Sequence, residues 1–284
     1  MESILYGLIY IVLAPFVGGL LAGVDRIITA RMQRRVGPPL LQPFYDVLKL
    51  LQKKTIQTNR FQAPYVICHL IFMVFTGFLF FEGSDILLTF FVLAVSSIFF
   101  ILAAYSSKSP FSFLGAEREL LLVMAYEPMV LITLVGFFKI TGSFHVYHII
   151  ASGIPMIVYL PGIFLGFLYI LTIKFRKSPF DLSYSHHAHQ EIVKGITTDM
   201  TGSTLAMIEI AHWYENVFLL GFIFMFFSFN IWIGIGVTLA VYFLEILIDN
   251  AFAREKWEFV LRTSWIAAFL LGGGNLVLLY IFYR

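Results

Sequence analysis

Charged residues and cysteines are scarce in this sequence of 284 residues. Only 13% of the residues are charged and the mean hydropathy is +0.88, a combination that is rare among soluble domains. The single cysteine, Cys68, cannot form an internal disulfide bond or hold an iron–sulfur cluster, which needs several thiolate ligands. We therefore expect Cys68 to be packed in its apolar segment, and any electron-transfer centre to lie in another protein.

The sequence also lacks the alternation of polar and apolar residues that a membrane β-barrel requires. Long apolar runs follow one another instead, and each has the roughly 20 residues that cross about 30 Å of hydrocarbon. Because the backbone must satisfy its own hydrogen bonds in lipid, these runs are predicted to be helices. We count eight, at about 3–24, 64–82, 86–105, 119–140, 154–174, 204–228, 230–250 and 263–283.

Lysine and arginine are almost absent from every second interval between these runs. Seventeen of the 19 fall in the remaining intervals, and only Lys139 and Arg284 do not. Since cytoplasmic segments carry the excess of positive charge, both termini are predicted to lie outside. The predicted fold is an all-α, multi-pass protein of the cell membrane, embedded in the lipid bilayer. It forms a single membrane domain over 1–284, with cytoplasmic loops 25–63 and 174–203 as a docking platform.

The first cytoplasmic loop contains the sequence RRVGPPLLQPFYDVLKLLQKKTIQT at 34–58. Its Gly-Pro-Pro at 37–39 interrupts the helix, and a helical pattern returns over 40–54. The apolar residues of that stretch share one face, which predicts an amphipathic helix at the membrane surface. Such a helix is either a plain interfacial anchor or a docking face. The candidate docking residues are Arg34, Arg35, Gln42, Asp46 and Lys49.

The third cytoplasmic loop contains SPFDLSYSHHAHQEIVKGITTDMTG at 178–202. Its histidines, His186, His187 and His189, cannot readily face one point on a regular helix, and zinc would need further ligands, so we expect no metal site. Histidine titrates near neutral pH, which favours proton exchange or contact with a partner. We therefore add these three residues to the docking candidates.

Several acids lie within or beside the apolar runs, where a charge costs a few kcal/mol and usually indicates function. Glu209, His212 and Glu215 are spaced by three residues, and Glu245 and Asp249 by four, so neighbours can share a helix face. Glu117, Glu119 and Asp249 could instead simply lie at a water interface. The candidates for a proton or ion pathway are Glu117, Glu119, Glu127, Glu209, His212, Glu215, Glu245 and Asp249.

Both basic loops resemble those of the respiratory complex I subunit 1 family. The matching motifs are RVGP at 35–38, LQPFYDVLKL at 41–50, KSPFDL at 177–182, EIVKG at 191–195 and DMTG at 199–202. The quinone-reducing branch usually inserts residues between the first two motifs and is acidic where SHHAHQEIVKGIT has histidines. It also has an acidic residue where this chain has Trp213. The compressed form resembles the membrane subunits of Ech-type energy-converting nickel–iron hydrogenases.

This resemblance implies eight helices and a chain of acids that runs from a redox cavity into the membrane. It matches Glu127 to the family's Tyr-Glu motif and adds Asp181, Glu191 and Asp199 to the pathway. It implies as partners a hydrogenase large subunit with the nickel–iron centre, an iron–sulfur small subunit and an antiporter-like membrane subunit, with ferredoxin as an indirect partner. The chain itself is expected to be a non-redox subunit without cofactor, metal or nucleic acid.

The predicted function is that of an ion-translocating membrane subunit of an energy-converting hydrogenase complex. It would anchor the hydrogenase module and couple ferredoxin oxidation and proton reduction to translocation of H+ or Na+. Three alternatives stay open. They are the quinone-site membrane subunit of an NADH:quinone oxidoreductase, the membrane subunit of a formate hydrogenlyase, and a stand-alone secondary transporter. The lack of a detectable internal repeat weighs against the last.

Overall fold

The computed structural model describes residues 2–56, 59–180, 182–184 and 194–282. These residues form α-helices and short turns but no β-strand, which confirms the predicted all-α class. The helices are α1 (Glu2–Met32), α2 (Gln42–Gln52), α3 (Gln62–Glu82), α4 (Ile86–Tyr105), α5 (Pro110–Thr141), α6 (Val146–Ala151), α7 (Met156–Tyr159), α8 (Pro161–Lys174), α9 (Ser203–Met225), α10 (Ile231–Ala251), α11 (Trp257–Ala267) and α12 (Gly274–Phe282). A π-helical segment, Ala268–Gly273, joins α11 to α12, and Gly195–Thr197 forms a 3-10 turn.

Six helical segments in the described ranges are long and apolar enough to cross a membrane, which makes this a multi-pass membrane protein. They are α1, α3, α4, α5, α10 and the continuous run from α11 to α12. The other two predicted spans correspond to α8, which has only 14 residues, and to α9, whose 23 residues include two glutamates and a histidine. The count of eight and the outside position of both termini stay predictions.

Three helix boundaries differ from the predicted spans. Helix α1 continues past residue 24 to Met32, and α5 begins at Pro110 rather than 119. At about 1.5 Å per residue, the 32 residues of α5 extend about 48 Å, more than the hydrocarbon thickness. The predicted span 154–174 is interrupted at Leu160, because the Pro161 ring disfavours the α conformation of the residue before it and lacks an N–H.

Helix α2 confirms the amphipathic helix predicted in the first cytoplasmic loop. Val47 is buried against Trp213 of α9, and the ring of Phe44 lies 5.2 Å from that of Trp213. Residues on the opposite face, including Tyr45 and Leu48, are exposed, as an interfacial helix requires. The loop before α2 passes close to Gly23 of α1. A Cβ atom at residue 23 would collide with the Leu40 carbonyl oxygen, so glycine is needed for this close approach.

Contacts divide the chain into two compact units. The first comprises Met1–Glu82, Thr89–Leu120 and Leu182–Phe218, and its core includes the edge-to-face rings of Phe80, Phe90 and Phe218. The second comprises Gly83–Leu88, Leu121–Asp181 and Leu219–Arg284, and its core includes Phe137, Phe222 and Phe226. The single membrane domain over 1–284 and the docking role of its loops stay predictions.

Candidate functional site

Asp46 is firmly held among the predicted docking residues. Its carboxylate accepts hydrogen bonds from the Arg26 guanidinium on α1 at 2.5 Å and from the Gln42 amide at 2.8 Å. Partial burial opposes ionisation, but these two bonds and the charges of Arg26 and Lys49 outweigh it, so the pKa of Asp46 is lowered. Arg26, which the sequence analysis did not assign, therefore fastens α2 to α1.

The other docking candidates fall into two groups. Arg34, Arg35 and Lys49 are exposed, and Arg34 adopts a left-handed conformation, with φ of 57°, just after α1 ends. Arg35 donates a hydrogen bond to the Gln33 side chain. The docking candidates His186, His187 and His189, together with the pathway candidates Asp181 and Glu191, lie outside the described residues.

The ends of the two long loops predicted to be cytoplasmic, 25–63 and 174–203, are joined within the first unit. The Thr55 and Ser203 hydroxyls lie 2.7 Å apart, and the Thr201 hydroxyl donates to the Ile56 carbonyl at 3.1 Å. Asp199, a predicted pathway residue, is partly buried just before this junction. Within the first unit, the end of the first loop is thus bonded to the end of the third.

Glu119 is buried on α5 and is held by the third cytoplasmic loop. Its side chain is only 7% exposed, and it accepts a hydrogen bond from the hydroxyl of Ser183, which is itself buried. Glu117 is partly buried and accepts a hydrogen bond from the Tyr105 hydroxyl at 2.7 Å. The structure therefore does not support a simple water interface for Glu119.

The acids of α9 lie in the same unit as Glu119. The Tyr184 hydroxyl donates to Glu209 at 3.5 Å, so consecutive loop residues, Ser183 and Tyr184, contact acids on two different helices. Glu215 is 5% exposed, and the His212 ring packs edge-on against a phenylalanine of α4. Sequence spacing indicated that neighbours among the α9 residues can share a helix face, but it could not show that the loop reaches Glu209.

Asp249 and Glu245 occupy successive turns of α10 in the second unit. Asp249 accepts hydrogen bonds from the Lys177 ammonium at 3.2 Å and from the Ser178 backbone N–H at 2.9 Å. Glu245 is fully buried, and neither of its carboxylate oxygens has a hydrogen-bond partner among the described residues. Lys177 was counted only as a basic loop residue in the sequence, and its role as a partner of α10 was missed.

Glu127 is exposed on the surface of α5, in contrast to the buried Glu119 of the same helix. The side chains on either side of it along this face, such as Met124 and Leu131, are apolar and about half exposed. Lys174 of α8 is the opposite charge that acts on Glu127, and its ammonium also lies 4.4 Å from the Tyr126 ring centroid. Among the described pathway acids, Glu127 is thus the one that this chain presents outward from a membrane helix.

Comparison with known proteins shows to which family this chain belongs. The sequence model of the NADH dehydrogenase family matches residues 5–280, which is nearly the whole chain. The chain belongs to the NADH dehydrogenase family. The resemblance inferred from the loop motifs is therefore confirmed.

Two curated relatives of this NADH dehydrogenase family member illustrate its two branches. It is 25% identical to formate hydrogenlyase subunit 4 of Escherichia coli (strain K12), over 93% of this chain and 94% of that protein. It is 27% identical to an NADH-quinone oxidoreductase subunit of Dehalococcoides mccartyi, over 75% of this chain and 64% of that protein. Both relatives are named as subunits of oxidoreductase complexes, which is the general kind of membrane subunit that this chain represents. The prokaryotic relatives are consistent with the cell membrane.

A solved structure shows the same fold. A chain in the structure of the membrane-bound sulfane sulfur reductase, an archaeal respiratory membrane complex, superposes with a TM-score of 0.87 at 24% identity. The match covers 98% of this chain and 99% of that chain. The helical arrangement of this NADH dehydrogenase family member is therefore the same as that of the archaeal chain.

Metal-binding chemistry is not assembled in the part of this family member that the structure describes. No group of three or more histidine, cysteine, aspartate or glutamate side chains lies close enough there to hold a metal ion. Cys68 is a free, partly buried thiol on α3. What the described residues do bring together is carboxylates with hydroxyl and ammonium donors, an arrangement suited to holding and releasing protons.

Proposed function

We propose that this protein is the ion-translocating membrane subunit of an energy-converting hydrogenase complex. The supporting observation is that adjacent residues of the third cytoplasmic loop, Ser183 and Tyr184, donate hydrogen bonds to Glu119 on α5 and Glu209 on α9. A soluble oxidoreductase module bound at the loops could therefore act directly on two membrane acids. The formate hydrogenlyase relative supports the hydrogenase branch.

In this proposal the redox centres belong to the partners. A hydrogenase large subunit carries the nickel–iron centre and an iron–sulfur small subunit delivers electrons from ferredoxin, while this chain holds no cofactor. The partners bind to the cytoplasmic loops of this chain. The Arg26–Asp46 ion pair fixes α2 in place, and the Thr55–Ser203 contact fixes the ends of the two loops. Exposed Arg34, Arg35 and Lys49 give this surface a positive charge that attracts an acidic partner.

The coupling step is a change in the hydrogen bonds made by the third loop. In the observed arrangement Ser183 and Tyr184 hold the carboxyl groups of Glu119 and Glu209. If binding or reduction at the redox module draws the loop away, both acids lose these donors together. Protons then move along the titratable side chains of α9, Glu209, His212 and Glu215.

Glu127 supplies the exit to a neighbouring membrane subunit. An ionised carboxylate facing lipid costs a few kcal/mol, whereas the same group opposite a donor of an adjacent helix is stabilised. The exposed apolar face of α5 around Glu127 therefore fits a second membrane protein. The antiporter-like subunit that the family resemblance implies would occupy this position and receive H+ or Na+.

The proposal is tested with Glu127→Gln in the purified complex reconstituted in liposomes. Hydrogen evolution from reduced ferredoxin should persist in part, whereas the ion gradient should fall by roughly tenfold or more, because the exit group can no longer ionise. Glu258→Gln is the matched control, since Glu258 is an exposed carboxylate at the start of α11. A normal gradient in the Glu127 variant, or the absence of a nickel–iron subunit from the purified complex, contradicts the proposal.

The second candidate is a quinone-site subunit of an NADH:quinone oxidoreductase, which the Dehalococcoides mccartyi relative favours. This candidate requires a quinone to copurify with the complex and a flavin-containing NADH module in place of the hydrogenase. A stand-alone secondary transporter would instead move ions when the isolated chain is placed in liposomes. The same purification and reconstitution therefore separates all three.

A further inference from the structure

Lys177, just after α8, is bound to a carboxylate on α10. Its ammonium lies 3.2 Å from one oxygen of Asp249, and its side chain is only 12% exposed. The backbone N–H of Ser178 occupies the other Asp249 oxygen at 2.9 Å. Asp249 therefore has a donor on each oxygen, and one of these donors is a cationic side chain.

Glu245 lies one turn earlier on α10, on the same side as Asp249. It is completely buried, and among the described residues neither of its oxygens is hydrogen-bonded. The Thr172 hydroxyl donates to the Leu168 carbonyl at 3.4 Å, and it also lies near enough to Glu245 to act on it as a donor, although no hydrogen bond of ordinary geometry joins the two. The charged groups that act on Glu245 are Lys177, which attracts it, and Asp249, which repels it.

A buried carboxylate without hydrogen bonds is stable only as the neutral acid or beside a cation. In the observed arrangement the ammonium is engaged by Asp249, so Glu245 is the neutral acid. The flexible four-carbon stem of Lys177 carries its charge to either acid by rotation about its own bonds. One cation therefore serves two carboxylates that lie a single helical turn apart.

We propose that Lys177 is a positioning residue that exchanges between Asp249 and Glu245 and thereby controls the proton on Glu245. When Lys177 turns to Glu245, the O–H bond of the acid breaks, its proton passes to water at the partly exposed Asp249, and a carboxylate remains paired with the ammonium. When Lys177 returns to Asp249, Glu245 takes up one proton from water. Lysine stays protonated throughout, so the exchanged species is H+ and the site has no need of Na+. The consequence for energy coupling rests on the proposed function.

Backbone and side-chain hydrogen bonds just after Lys177 connect this exchange to the position of the third cytoplasmic loop. The Ser178 hydroxyl donates to the Phe252 carbonyl at 3.2 Å, and the Glu255 N–H donates to the Pro179 carbonyl at 3.0 Å. These bonds tie the start of the loop to the connection between α10 and α11. Displacing the loop would withdraw the Ser178 donor from Asp249 and change which acid holds the ammonium.

Infrared difference spectroscopy of the reconstituted complex tests the exchange directly. The protonated-carboxyl signal of Glu245 is assigned as the one that disappears in Glu245→Gln. Lys177→Met should keep this signal throughout turnover, because the neutral acid has lost the cation that exchanges with it. Asp249→Asn should remove it at rest, because the ammonium then moves to Glu245. Opposite responses support the proposal, whereas identical responses, or an unchanged signal in Asp249→Asn, overturn it.

Proton translocation provides the second readout. Lys177→Met should lower it by roughly tenfold or more, and Lys177→Arg should restore most of it because the positive charge is kept. The Lys177→Met, Glu245→Gln double variant should be no worse than Glu245→Gln alone, since both changes act on one step. Additive losses, or uptake of radioactive sodium in place of protons, overturn the proposal. Arg and Asn variants keep the test available if Lys177→Met does not assemble.

These outcomes separate this proposal from the proposed function. If the wild-type complex forms no ion gradient, the proposed function is contradicted. The infrared carboxyl signals of the variants still show whether Lys177 exchanges between the two acids. If the wild-type complex and the Lys177→Met variant form equal ion gradients, only the proposed exchange of Lys177 is contradicted.

Discussion

Glu119 and Glu245 are both buried acids on long apolar helices, yet the chain surrounds them differently. Glu119 accepts a hydrogen bond from a neutral hydroxyl, that of Ser183, whereas Glu245 accepts none among the described residues and lies near the charge of Lys177. A hydrogen bond from a neutral donor fixes an acid in place, while an unbonded acid near a movable cation can change its protonation. The two buried acids therefore differ in the partners that the structure shows for them rather than in their burial.

Leucine substitutions should give the largest contrast between the two acids. Glu119→Leu leaves the buried Ser183 hydroxyl without its acceptor and should lower the free energy of unfolding by about 1–3 kcal/mol. Glu245→Leu removes an unbonded carboxyl, while Lys177 keeps Asp249, so it should be neutral or stabilising by about 1–3 kcal/mol. Thermal and denaturant unfolding of the full chain in detergent measures both. If both substitutions change the free energy of unfolding by the same sign and amount, the proposed difference between Glu119 and Glu245 is wrong.

Substitutions of the hydroxyl groups near each acid should give a smaller difference in the free energy of unfolding. Ser183→Ala removes a donor from the buried Glu119 and should cost about 1 kcal/mol or slightly more. Thr172→Val removes a hydroxyl whose own hydrogen bond, to the Leu168 carbonyl of its helix, is long at 3.4 Å. That variant should change the free energy of unfolding by less than about 0.5 kcal/mol. A cost for Thr172→Val as large as that for Ser183→Ala would mean that this hydroxyl does hold Glu245.

The sequence was sufficient to place the acids on helices but not to pair them. Apolar runs and basic intervals predicted the helical class, and the pattern after Gly37 predicted α2 closely. The partners of Glu119 and Asp249 lie 64 and 72 residues away along the chain, and no local pattern reports contacts at that separation. Two loop residues, Ser183 and Lys177, therefore emerged only from the structure.

Hydropathy also could not show which way Glu127 faces. In a soluble helix the polar face marks the outside, but a membrane helix is apolar both towards its neighbours and towards lipid. The acid could equally well have been assigned to the interior, and the structure instead exposes it among half-exposed apolar side chains such as Met124. The break at Leu160 had a visible local cause in Pro161, which the sequence analysis did not use.

Asp46 extends the comparison to a largely solvated acid and should give the smallest effect. Its side chain and that of Arg26 are 40% and 45% exposed, so water screens their attraction. A double-mutant cycle with Asp46→Asn and Arg26→Gln should give a coupling energy below about 1 kcal/mol, and high salt should reduce it further.

The pH dependence of this pair has a definite sign. The pKa of Asp46 is lowered from its ordinary value of 3.8, so the folded state binds its proton more weakly than the unfolded state does. The carboxylate therefore stabilises the fold at pH values above 3.8, and this contribution is lost as the pH falls through the lowered folded-state pKa. The difference in unfolding free energy between wild type and Asp46→Asn should be constant from pH 7 down to about 5 and shrink only below about 4. Glu258→Gln, at an exposed site, provides the control. A difference that shrinks between pH 7 and 5 would mean that a histidine, rather than Asp46, carries the effect.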